Sequence, residues 1–116
     1  MLKSDSIRLR HILDAAKEAV ELARGKSRQN LNSDRTLCLS LIYLIVNIGE
    51  ASRVISIPFR ESHSEIPWKK MIGMRDRLVH GYFDVNLNIV WQTVNEDLPQ
   101  LIAKIEGLMG NDYSIL

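Results

Sequence analysis

Apolar residues recur at helical spacing along most of the chain, and no run alternates convincingly in the way a β-strand does. The first such segment runs from Asp5 to Arg24, with an apolar stripe on one face and charged side chains on the other. Gly25 is suited to end this helix, because glycine readily follows a helix C-terminus. The polar sequence GKSRQNLNSD then predicts a linker. The apolar stripe consists of Ile12, Leu13, Ala16, Ala19, Val20 and Ala23.

A second helix is predicted from a cap at Ser33 or Asp34 to about Ile55. Its most apolar stretch, LCLSLIYLIVNI, is about a dozen residues long, whereas a membrane span needs roughly 20. We therefore interpret it as a buried helix and expect no membrane partner. The helix is apolar nearly all round, so it must be covered on more than one side. In a chain of 116 residues this favours a surface for self-association.

Prolines and glycines divide the second half of the chain. The sequence SIPFRESHSEIP predicts a break, and Pro67 suits the first turn of a third helix that Gly81 would end. Asn86 can cap a fourth helix, which Pro99 should kink or split near Asp97. The predicted fold is all-α, an up-and-down bundle of four main helices.

Composition limits the class of protein. The length of 116 residues predicts one domain covering residues 1–116, with 46% apolar residues to form a core. The 15 basic and 14 acidic residues leave a net charge of +1, so any nucleic-acid contact must come from a local patch. The single cysteine, Cys38, excludes an internal disulfide, fits a reducing cytoplasm and is expected to be buried. The first ten residues lack the apolar stretch of a signal peptide.

Metal and cofactor chemistry has little support. The histidines at positions 11, 63 and 80 are far apart and lack a ligand spacing such as H-x-x-x-H. The chain also lacks a glycine-rich phosphate loop and a G-x-S-x-G motif. We therefore predict no metal and no cofactor. Trp68 and Trp91 fall at core positions of their helices and are interpreted as packing residues.

The polar stretch MRDRLVHGY stands between apolar residues on the third helix. Arg75 lies on the apolar face of that helix, and its guanidinium is always charged. Because an unpaired buried charge is costly, Arg75 needs either a carboxylate or a polar cavity. Glu50 on the second helix is the natural partner, and Asn47 lies one turn before it. A purely structural Arg75–Glu50 pair and a functional polar site both remain open.

His80 and Tyr82 complete the polar group. His80 follows Arg75 by five residues, at the predicted end of the helix, and Tyr82 comes two residues later. Alone, each would be interpreted as a surface or capping residue. Together the three supply a fixed cation, a titratable acid or base and a phenol. These groups can hold a phosphate and transfer a proton near neutral pH.

Four residues separate Arg75 from His80, and one residue separates His80 from Tyr82. This spacing resembles the signature of the HepT-like HEPN-domain family. The resemblance extends to NIGEAS in the second helix, to PWKKMIGMRDRLVHGYFDVNLNIVW, and to DLPQLIAKI in the last helix. A common family variant has asparagine where this chain has Asp76. An acidic side chain there is expected to weaken attraction for phosphate, with Arg77 and its neighbouring lysines, Lys69 and Lys70, offsetting it.

The resemblance implies a HEPN helical bundle that forms a homodimer or higher oligomer, with two motifs facing one cleft. It also implies that the protein is the toxin of a toxin–antitoxin pair. Its partner would be an MntA-type minimal nucleotidyltransferase that transfers AMP to Tyr82. Carried over by position, Arg75 and His80 are the ribonuclease pair and Glu50 supports the arginine. A metal-independent endoribonuclease toxin acting on RNA is the first hypothesis. A non-catalytic subunit that holds nucleotide or RNA for the nucleotidyltransferase is the second, and the sequence does not separate them.

Overall fold

The computed structural model describes residues 2–80 and 85–110, without the side chains of Val79 and His80. Every regular element in these ranges is helical, so the predicted all-α class is confirmed. A π-helical turn at Thr93–Asp97 joins the last two helices. In chain order the α-helices are α1 (Lys3–Ala23), α2 (Asn30–Ser33), α3 (Arg35–Val54), α4 (Ile57–Ser62), α5 (Trp68–His80), α6 (Leu87–Gln92) and α7 (Leu98–Gly110).

Helix α1 forms where the first apolar stripe predicts it, and the stripe faces the core. Of its six positions all but the half-buried Val20 are buried, and Leu9 extends the buried row toward the N-terminus. The helix ends one residue before Arg24, and Gly25 then takes a positive φ of 74°. Only glycine adopts that conformation without strain, which explains the stop at this position. Helix α1 packs on α3 and α7.

Helix α3 is the central helix of the bundle, packed between α1 and α5. Asp34 caps it by accepting a hydrogen bond from the Leu37 N–H at 3.0 Å, as predicted. By length and composition alone α3 could cross a membrane. In this fold its two covered sides contribute to the core, as in the central helices of soluble bundles. Its buried residues are Leu37, Leu41, Leu44, Ile45, Ile48, Gly49 and Ser52.

Two short helices were not predicted from the sequence. Helix α2 lies inside the segment predicted as a linker, and α4 lies inside the segment predicted as a break. Each is anchored by one buried apolar side chain, Leu31 in α2 and Phe59 in α4. Ser56 caps α4, and the buried carboxylate of Asp5 accepts hydrogen bonds from the Ser56 N–H and hydroxyl at 2.8 and 2.6 Å. Elements of four and six residues are too short to show a helical period in sequence.

Helix α5 begins where the third helix was predicted. Pro67 directly precedes it, and its carbonyl accepts a hydrogen bond from the Met71 N–H at 3.2 Å. Trp68 is buried as expected, and its indole N–H donates to the His63 carbonyl at 3.0 Å. Met74 joins this buried face. The predicted stop at Gly81 lies outside the described residues.

The fourth predicted helix is divided, as the proline indicated. Asn86 caps α6 by accepting from the Asn88 N–H at 2.9 Å. The π-helical turn follows, in which the Leu98 N–H donates to the Thr93 carbonyl. Pro99 has no N–H for the usual bond to the carbonyl four residues earlier, and a wider turn just before it accommodates that loss. The predicted kink or split near Asp97 takes the form of this π-helical turn, through which the helical backbone continues.

Candidate functional site

The site is built where α3 and α5 come closest together. A Cβ atom added to Gly49 would lie 2.2 Å from the Cβ of Arg75 and 2.8 Å from the Met71 carbonyl oxygen. Neither contact is possible for a real side chain, so Gly49 allows the backbone of α3 to touch α5 at Arg75. Ser52, one turn further, is also small and fully buried. These residues fix the point at which the Arg75 side chain leaves α5.

Arg75 is held by two carboxylates. Its Nε donates to Oε1 of Glu50 at 2.8 Å, and its Nη2 donates to the same oxygen. Its Nη1 donates to Oδ1 of Asp76 at 3.0 Å. The hydrogen bonds to Glu50, and then those to Asp76, raise the pKa of the Arg75 guanidinium above its already high ordinary value. The predicted Arg75–Glu50 pair is therefore confirmed, and the cation is permanent.

Asp76 connects this pair to a second arginine. Its Oδ1 also accepts a hydrogen bond from Nη2 of Arg53 on α3. Two guanidinium groups and two carboxylates thus alternate in a network between the helices: Glu50, Arg75, Asp76 and Arg53. The sequence suggested that the negative charge of Asp76 would repel phosphate. In this network the positive charges of Arg53 and Arg75 balance it. Arg53 was not identified from the sequence, although its position three residues after Glu50 places it on the same side of α3.

The guanidinium retains capacity for another ligand. Arginine has five N–H donors, and three donor–acceptor contacts join Arg75 to carboxylates within the described part of the chain. The side chain of Arg75 is 19% exposed and that of Glu50 is 47% exposed, so the network lies at the surface. A phosphate oxygen can approach the remaining donors while the carboxylates hold the guanidinium plane in place.

An apolar strip leads along α3 to this network. Leu39, Tyr43, Val46 and Glu50 follow one another at helical spacing and lie on one side of the helix. Leu39 is 51% exposed, Tyr43 is 65% exposed and Val46 is half-buried. Asn47, the predicted neighbour of Glu50, is half-buried one turn before it. The surface beside Arg75 is therefore apolar along its length and charged at its end.

Arg77 lies elsewhere. It lines a groove between α5 and the α6–π-helical turn segment, together with Lys69 and Lys70. Around the α5 helix Lys70 and Arg77 lie on the side away from Arg75, and Lys69 lies between them and Arg75. The structure therefore separates Arg77 and the two lysines from the network that holds Arg75, whereas the sequence suggested that they act beside Asp76.

The other two residues of the motif are His80 and Tyr82. Helix α5 runs through its predicted last turn to His80, but the His80 side chain and Tyr82 lie outside the described residues. Their distances to Arg75 stay predictions. Within the described ranges, no group of three or more His, Cys, Asp or Glu residues could hold a metal ion.

His63, Cys38 and Trp91 take no part in the network around Arg75. His63 stacks on Phe59 with ring centroids 4.4 Å apart, and its Nδ1 lies 3.4 Å from the Glu65 carboxylate. Cys38 is half-buried, less deeply than expected, and burial raises the pKa of its thiol against the opposing effect of nearby arginines. It is therefore a weakly reactive thiol at neutral pH. Trp91 is half-buried against the core, consistent with its predicted packing role.

Comparison with known proteins gives one consistent result. A family model described as "Ribonuclease HepT-like" matches residues 12–108. A protein of Caldanaerobacter subterraneus subsp. tengcongensis named "Putative RNase TTE0752" is 36% identical over 101 residues, which cover 87% of this chain and 90% of that protein. "Probable ribonuclease HepT" of Thermococcus cleftensis is 39% identical over 100 residues, covering 83% and 91% of the two chains. No solved structure matches the chain.

Proposed function

The chain belongs to the HepT-like family of HEPN-domain ribonucleases, and we propose that it is a metal-independent endoribonuclease that acts as a homodimer in the cytoplasm. The observation that carries this proposal is Arg75, whose guanidinium is fixed at the surface by Glu50 and Asp76 with N–H donors to spare. This is a preorganised donor of positive charge, the group that phosphoryl chemistry requires. It occupies the arginine position of the motif that was identified from the sequence.

The proposed reaction is internal transesterification of RNA. The ribose 2′-oxygen attacks the neighbouring phosphorus atom, its proton passes to one His80 imidazole, and the P–O5′ bond breaks. The leaving 5′-oxygen receives a proton from a second, protonated imidazole, and a 2′,3′-cyclic phosphate remains on the other product. Arg75 stabilises the negative charge that develops on the phosphorane oxygens. Because one acid and one base are needed, a single His80 per chain is too few.

A symmetric dimer supplies the missing histidine. The exposed apolar strip of Leu39, Tyr43 and Val46 ends at Glu50, and therefore at the network around Arg75. A two-fold interface formed through this strip would cover the apolar side chains and bring two arginine networks toward one cleft. This supports the proposal that the dimer contact and the catalytic cleft are parts of one surface.

We further propose that the protein is a toxin restrained by a cognate minimal nucleotidyltransferase that transfers AMP to Tyr82. The AMP phosphodiester would carry a negative charge to the motif, where Arg75 can pair with it. The adenosine would occupy space that the RNA needs. Modification would then stop RNA binding without unfolding the bundle.

Cleavage of RNA by the purified protein in EDTA tests the catalytic proposal. We expect cleavage without added metal, and its loss in both Arg75→Ala and His80→Ala, with growth inhibition lost in parallel. His11→Ala is a matched control, because His11 is exposed on α1 away from the site. A protein that binds RNA but never cleaves it would instead be the non-catalytic subunit of a nucleotidyltransferase complex. Full toxicity of His80→Ala at equal expression would remove His80 from the reaction.

A further inference from the structure

We propose that the groove lined by Lys69, Lys70 and Arg77 is a second RNA-binding site, which holds a nucleotide of the substrate strand at a distance from Arg75. The inference rests on the proposed ribonuclease function and adds a binding site to it. The groove has a volume of about 410 Å³ and lies between α5 and the α6–π-helical turn segment. Its rim is basic.

The charges on the rim are available to a ligand. Lys70 donates to Oδ1 of Asp97 at 3.0 Å, which places one ion pair on the groove wall. Lys69 and Arg77 are exposed and have no ion-pair partner within residues 2–80 and 85–110. Three cations therefore face one carboxylate in a chain whose net charge is only +1. This local excess of positive charge suits the phosphates of a nucleic-acid strand.

The floor of the groove suits a base. Met74 and Ile89 contribute apolar surface, while Gln92 and Thr93 lie on the wall formed by α6 and the π-helical turn. Gly73 leaves the middle of the groove open, because a Cβ atom added there would have no other atom within 4 Å. A base can rest on the apolar floor while its flanking phosphates contact the rim. Grooves that bind single strands without sequence preference pair a basic track with aromatic side chains. The described lining of this groove offers aliphatic surface instead, so the phosphate contacts of the rim would supply most of the affinity.

The position of the groove relative to Arg75 indicates how a bound RNA strand would run. Around α5, Arg77 and Lys70 lie on the side away from Arg75 with Lys69 between, so Arg75 and Arg77 are separated by roughly 10–12 Å, the usual diameter of a helix with its side chains. A single strand lying across α5 would present one phosphate to Arg75 and further phosphates to Lys69 and Arg77. The groove would thus contribute to substrate affinity and leave the chemical step to the motif.

Binding of a 2′-O-methyl oligouridylate tests the proposal, because this probe lacks the attacking hydroxyl and stays intact. Lys69→Gln/Arg77→Gln should weaken binding about 10- to 30-fold at 0.1 M salt, since each lost phosphate contact removes about 0.7 from the slope of log affinity against log salt. Gly73→Leu should also weaken binding, because it fills the groove without changing its charge or adding an aromatic ring on which a base could stack. Arg10→Gln/Lys26→Gln removes two exposed cations elsewhere and should leave affinity within about twofold.

The outcomes separate the groove from the catalytic proposal. With cleavable RNA, the groove double variant should raise KM and leave kcat unchanged. If the wild-type protein cleaves and the double variant binds and cleaves equally well, the groove proposal is overturned and the catalytic one stands. If the wild-type protein binds RNA but does not cleave it, and the double variant loses affinity, the groove proposal is supported and the catalytic proposal is contradicted. Loss of binding to a protein partner with unchanged RNA affinity would also overturn the groove proposal.

Discussion

At the scale of single residues, the position of Arg75 depends on the absence of a side chain at Gly49. The glycine was visible in the sequence as part of the NIGEAS element, but its role was not, because it arises from a contact between residues 26 positions apart (49 and 75). The Arg75–Glu50 pair was predictable, since a guanidinium on an apolar face needs a carboxylate. The contributions of Asp76 and Arg53 were not, because surface ion pairs depend on rotamers that no sequence pattern specifies.

We predict that Gly49→Ala destabilises the protein and lowers its activity together. The added methyl group must move α5 away from α3, and forcing an extra carbon into a packed contact typically costs about 1–3 kcal/mol. Urea unfolding measures the loss of stability, and the rate of RNA cleavage by the folded fraction measures the loss of activity. Gly107→Ala is the control, because a Cβ atom there meets nothing within 4 Å, and it should stabilise α7 by up to about 1 kcal/mol. Equal stability of Gly49→Ala and wild type would contradict the close approach.

At the scale of elements, the long helices were predictable and the short ones were not. The periods of α1 and α3, the caps at Asp34 and Asn86 and the split before Pro99 all have local causes. Helices α2 and α4 exist because one side chain of each finds a place in the core, which is a tertiary effect. The sequence also indicated that α3 is apolar nearly all round, and within residues 2–80 and 85–110 one side of it, with Leu39 and Tyr43, stays exposed.

The apolar strip on this side of α3 gives a prediction about dimer formation. Tyr43→Asp should convert a dimer into a monomer at micromolar concentration and abolish RNA cleavage, because a buried carboxylate opposes association through the strip. Tyr43 is 65% exposed in the single chain, so the helical fold should persist by circular dichroism. Leu22→Asp, at an exposed apolar position on α1, should change neither property. A Tyr43→Asp variant that remains dimeric in sedimentation experiments would place the interface elsewhere.

At the scale of the whole molecule, the family and its helical bundle follow from the chain, whereas the partner does not. The proposed regulation by AMP transfer depends on Tyr82, which lies outside the described residues. Co-expression with the cognate nucleotidyltransferase, followed by peptide mass spectrometry, tests it. We expect an AMP adduct on Tyr82 that is absent in Tyr82→Phe, and weaker oligouridylate binding by the modified protein.

Two results would contradict this regulation. Adducts confined to Tyr43 or Tyr113 would show that another tyrosine is the acceptor. Full neutralisation of the Tyr82→Phe variant by a catalytically inactive partner would show that restraint comes from binding alone. Neither result would affect the proposed chemistry of Arg75 and His80, since regulation and cleavage are separate steps.

The central claim is that two chains form one metal-independent ribonuclease site. It is tested most directly by the rate of RNA cleavage per chain in EDTA as the protein is diluted through its dimer dissociation range, followed in parallel by sedimentation. The rate per chain should fall in step with the dimer fraction, because each active cleft needs a histidine from both chains. A rate per chain that stays constant where the protein is monomeric, or cleavage that appears only when a divalent metal is added, would contradict it.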